Sequence, residues 1–141
     1  LVLIADDRAG RLLVNEGVGK GLREIASLSA DSLDQDRFEF ADRRGRESAA
    51  PGMARHAMEP ATSPERQARD AFASHLAGAL REAWNTGDHQ RIVLAAAPRM
   101  LGALRAELGD LAGRVSASLD KDLVKVPTSD LPRHFANVAA F

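Results

Sequence analysis

The sequence predicts an α/β fold: a single domain whose mixed β-sheet is flanked by helices. Three observations lead there. Residues 1–5 and 91–96 are near-continuous apolar runs, the pattern of strands buried on both faces. Residues 63–87 repeat their apolar positions at spacings of three and four, as a helix crossing a sheet would. At 141 residues the chain is one domain's worth.

The elements follow in order. Leu1-Val2-Leu3-Ile4-Ala5 reads as a buried strand, and Asp7-Arg8-Ala9-Gly10 has turn chemistry. Arg11-Leu12-Leu13-Val14-Asn15 returns as a second strand. Gly17, Gly19 and Gly21 interrupt the pattern. Residues 22–28 fit a third strand, with Leu22, Glu24, Ala26 and Leu28 on one face and Arg23, Ile25 and Ser27 on the other, completing an antiparallel meander. Residues 30–63 hold interleaved acids and Arg, punctuated by Gly45, Pro51, Gly52 and Pro60 with no sustained period, which predicts a long mobile loop. Ser63-Pro64-Glu65 is a helix start: a capping hydroxyl, a proline at the first position, a carboxylate at the positive dipole end. Ala68, Ala71, Phe72, His75, Leu76, Ala79, Leu80 and Ala83 mark its expected apolar face, and Gly87 its end. Residues 91–96 form a strand in the sheet interior. Pro98 opens a second helix carrying Leu101, Leu104 and Leu108 on one face. Val115, Ala117 and Leu119 alternate with polar residues as a last strand, and a helix ending near residue 139 closes the chain.

Composition excludes several classes. Lys and Arg number 19 against 20 Asp and Glu, for a net charge of −1. A general nucleic-acid wrapper would be far more basic, with a pI above about 9. With no Cys there is no disulfide framework, thiolate metal site or Cys nucleophile. No apolar run nears the roughly 18–20 residues of a membrane span, and residues 1–5 are too few for a signal-peptide core. A soluble, cytoplasmic domain is therefore expected. Five Phe, one Trp and no Tyr leave little material for stacking bases.

Sixteen of the 19 basic residues are Arg, and they cluster. Arg43, Arg44, Arg46, Arg55 and His56, with Gly45 among them, face a single nearby acid, Glu47. Guanidinium forks on a glycine-containing loop suit phosphate oxygens, although a solvated loop in an Arg-rich chain has the same composition. Arg99 follows Pro98 where a buried strand meets a helix start, a place that favours anions. The alternative there is pairing with a local carboxylate, since Pro98 itself removes one donor. Asp6 and Asp7 end one strand, and Asp120 and Asp122 another. Such carboxylates could converge on a metal, but Asp at strand ends also serves turns, and the set is incomplete. The four His are far apart, and Gly17-Val18-Gly19-Lys20-Gly21 lacks the spacing of a phosphate loop, which leaves a hairpin connection. No catalytic residue, metal or other cofactor is assigned.

Three stretches together resemble a known family: Asp42-Arg43-Arg44-Gly45-Arg46 with Gly52-Met53-Ala54-Arg55-His56; Ala96-Ala97-Pro98-Arg99-Met100-Leu101-Gly102-Ala103-Leu104-Arg105; and Asp120-Lys121-Asp122-Leu123 ahead of Asp130-Leu131-Pro132. Their order and spacing resemble the bacterial host attachment proteins, required for attachment to host cells, over nearly the whole chain. Pro98-Arg99 with Leu101-Gly102 and Leu104-Arg105 is the most specific part, and Ala97 stands where that family usually has a second Pro. The family is similar to the middle domain of archaeal and eukaryotic peptide-chain release factors. That similarity implies a ribonuclease-H-like sheet and a long loop before the first long helix. Release factors carry Gly-Gly-Gln in this loop, whereas residues 43–58 contain no Gln and no adjacent Gly pair. What the resemblance implies is a non-catalytic module that contacts tRNA or the ribosome through its Arg-rich loop. The family label implies the alternative, a factor for bacterial attachment to host cells acting through protein contacts. A metal-dependent nuclease or altered peptidyl-tRNA hydrolase is the weaker, enzymatic alternative.

Overall fold

The computed structural model describes residues 1–17, 19–31 and 63–138, so nearly all of the expected long loop lies outside the described residues. Among the described residues, five strands form one sheet in the order β3-β2-β1-β4-β5. They are β1 (Val2–Ala5), β2 (Ala9–Asn15), β3 (Leu22–Ser29), β4 (Ile92–Ala95) and β5 (Val115–Leu119). β1, β2 and β3 pair antiparallel in turn, while β1 with β4 and β4 with β5 are parallel. The sheet is thus mixed, as expected. Helix α1 (Pro64–Thr86) precedes β4, and helix α2 (Pro98–Leu108) with a 3-10 turn (Gly109–Arg114) leads from β4 to β5.

β1 and β4 are buried along their whole length because both faces of the sheet are covered. One face presents Leu3, Ala5, Leu12, Ile92 and Leu94 to α1 and α2, which contribute Phe72, Leu76, Leu80, Met100, Leu104 and Leu108. Burying each large apolar side chain contributes roughly 1.5–3 kcal/mol. Gly10 on β2 lets α1 come close: a Cβ there would overlap Leu76 Cδ2. The other face presents Val2, Ile4, Leu13, Val93 and Ala95 to Leu123, Leu131 and Phe135. These three belong to residues 120–138, a strap with a 3-10 turn (Thr128–Asp130) and one helical turn, α3 (Leu131–His134).

Four details correct the sequence reading. The first turn is tighter than expected and β2 starts at Ala9, because Asp6 Oδ1 accepts from the N–H groups of Arg8 (2.7 Å) and Ala9 (2.6 Å). On α1 the buried residues are Phe72, Ala73, Leu76, Ala77 and Leu80; His75 is exposed beside Phe72, with ring centroids 6.3 Å apart. The stripe is rotated toward Ala73 and Ala77, since small residues let the helix sit closer to the sheet. In β3 the register passes from Leu13↔Glu24 to Leu12↔Ala26, leaving Ile25 unpaired. This bulge moves Leu22 to the strap face and Ala26 and Leu28 to the helix face, and it leaves Ile25 40% exposed. Lastly, the C-terminal helix ends at His134 rather than near 139. The glycine-rich stretch does link β2 to β3, with Gly19 and Gly21 at φ +85° and +79°.

Candidate functional site

Of the residues singled out for phosphate contact, Arg43, Arg44, Gly45, Arg46, Arg55 and His56 lie outside the described residues. Arg99 lies within them. It is the second residue of α2, directly after the buried end of β4, and it is exposed. Among the described residues it makes no hydrogen bond or ion pair, so the expected alternative of a local carboxylate partner is not realised there.

Arg99 lines a groove of about 570 Å³ that runs between the first two turns of α1 and most of the length of α2. Ser63, which caps α1, and Pro98, the first residue of α2, both border it. On α1, Ser63 Oγ accepts from the Arg66 N–H at 3.1 Å and caps that end. α2 has no such cap: Ala97 offers no side-chain acceptor, and Pro98 occupies the first position. Two more guanidinium groups enter the groove from α1. Arg66 lies 3.9 Å from Asp70, one turn along the helix, and Arg69 reaches across to Asp7 at 3.4 Å. Glu65, Asp70 and Glu107 add three carboxylates to the rim, so the three cations are balanced overall. With Arg66 and Arg69 each facing a carboxylate, Arg99 is the groove's uncommitted positive charge among the described residues.

Sequence reasoning missed Arg66 and Arg69. The i,i+4 spacing of Arg66 and Asp70 is a signal in the sequence, but by itself it points only to an ion pair along one helix face. Their juxtaposition with Arg99 comes from the packing of α1 beside α2. The strand-end carboxylates also have local duties. Asp6 closes the first turn, Asp7 meets Arg69, and Asp122 Oδ1 accepts from the Val124 N–H at 3.2 Å. Among the described residues no group of three or more His, Cys, Asp or Glu is placed to hold a metal ion. Nor is any of their helices long and apolar enough to cross a membrane.

A family model described as "protein required for attachment to host cells" matches residues 1–135. No curated protein matched the chain.

Proposed function

The chain belongs to the family of proteins required for attachment to host cells, and within that family we propose a non-catalytic binding module that takes the phosphate backbone of RNA, with tRNA or the ribosome as partner. Arg99 is the observation that carries this reading. Among the described residues it is a guanidinium with no partner, lining a groove at a helix N-terminus that has no side-chain cap. The segment bearing Arg43, Arg44, Arg46, Arg55 and His56 joins α1 at Ser63, on the rim of that groove. Arg55 is eight residues from Ser63, so at roughly 3.3–3.6 Å per residue it stays within about 29 Å. One extended polyanion can therefore engage both. Contacts of this kind hold a nucleic acid without reading its sequence, which suits a chain with six aromatic residues. The sequence resemblance to the release-factor middle domain supports the same reading, and a sheet in which only β2 runs against its neighbours is compatible with a ribonuclease-H-like arrangement.

Binding of tRNA titrated against salt tests it. Affinity should fall steeply with ionic strength, and Arg99→Ala or Arg43→Ala with Arg46→Ala should weaken it while lowering the salt slope by about one per lost phosphate contact. No binding at low salt would end the proposal. The family description favours a second reading, attachment to host cells through protein contacts. A deletion strain that loses attachment, with the protein absent from ribosomal fractions at low salt, would select it.

A further inference from the structure

The strap over the second face of the sheet is fastened in an unusual way. Its backbone hydrogen bonds are local: Val126 N–H to Leu123 O (3.1 Å), Asp130 N–H to Pro127 O (2.9 Å) and Phe135 N–H to Leu131 O (3.3 Å). Among the described residues, the hydrogen bonds that hold residues 123–128 to the sheet all come from one side chain. Arg11 Nη1 donates to the carbonyls of Val126 (2.7 Å) and Val124 (3.1 Å), and more distantly to Leu123 (3.4 Å). Its Nη2 donates to Thr128 Oγ1 at 2.8 Å, while its Nε donates to Glu24 Oε1 at 2.6 Å, which orients the fork. The Arg11 side chain is only 12% exposed. Around this polar point the strap adheres through three fully or nearly buried side chains, Leu123, Leu131 and Phe135.

We propose that residues 120–138 form a strap that undocks from the sheet as one unit, with Arg11 as its latch. The strand ladders are continuous without the strap, and the opposite face has its own core against α1 and α2. Opening exchanges one largely shielded guanidinium and the packing of Leu123, Val124, Val126, Leu131 and Phe135 for an uncovered strip of Val2, Ile4, Leu13, Val93 and Ala95. Closed and open states thus differ in a single, separable layer. Lys replaces Arg11 only in part, because one ammonium cannot span all the acceptors that a planar fork meets from two sides.

Native-state hydrogen exchange tests this. In Arg11→Met, which keeps the apolar stem, amides of residues 120–138 should exchange at least tenfold faster as a block while those of β1 and β4 keep their rates. Arg11→Lys should fall between Met and the parent. Should Arg11→Met not fold, the parent protein suffices: the strap's amides should show a weaker denaturant dependence than those of β1 and β4. If strap and sheet amides accelerate together, or merge into one isotherm, the strap leaves only on global unfolding and the proposal is overturned. An unchanged strap in Arg11→Met overturns Arg11 as the latch.

Discussion

Arg11 and Arg99 are the same residue type put to opposite uses, and burial decides which. Arg11 is shielded, and its Nε and both Nη atoms hydrogen-bond, so it acts as a rivet. Arg99 is exposed at a helix start, so Arg99→Ala should leave stability within about 0.5 kcal/mol of the parent while weakening anion binding. Urea unfolding alongside the salt titration checks both halves. Gly10→Ala should do the reverse. The added methyl group meets Leu76 Cδ2, so the fully buried Leu76 must shift within the packed core, which should cost about 1–3 kcal/mol in urea unfolding. His89 supplies a pH dependence. Burial lowers its pKa below the ordinary 6.5, so the unfolded chain takes up the proton first. Stability is therefore lost as pH falls through that value, and the loss is complete below the folded-state pKa. His89→Gln should flatten this part of the profile as pH falls through the ordinary histidine range; an unaltered slope would assign the acid sensitivity elsewhere.

At the scale of the element, local chemistry was legible wherever it acts within one turn. Ser63, Pro64 and Glu65 announced the start of α1, and Ser63 does cap Arg66. Ser63→Ala should cost roughly 0.5–2 kcal/mol in a thermal or urea melt, and a change below that range would mean that solvent caps the helix equally well. The apolar runs announced β1 and β4 for the same reason, since a strand buried on both faces needs no alternation. β3 was less legible. Its residues alternate as if Leu22, Glu24, Ala26 and Leu28 shared a face, but the bulge at Ile25 arises from pairing with β2 and shifts the phase midway. The rotation of the α1 stripe away from His75 has a similar origin. Spacing fixes a helix's period, whereas its rotation about its own axis is decided by what it packs against.

For the whole molecule, the sheet's two covered faces give the chain two cores, one under α1 and α2 and one under the strap. Phe135, fully buried near the strap's end, is the test of the second: Phe135→Ala should destabilise by about 3–5 kcal/mol in chemical denaturation. A loss near zero would mean that the strap contributes little to the closed fold. The sequence by itself determined the α/β class, the five strands, both long helices and the family resemblance, because apolar periodicity, capping and motif spacing are local properties of the chain. It also singled out Arg99 as a candidate. Only the tertiary structure decided that Arg66 and Arg69 share a groove with Arg99, and that Arg11 reaches Thr128 across 117 positions of sequence. Such meetings are set by which face of each element turns inward, and that choice is made by packing between elements rather than within any one of them.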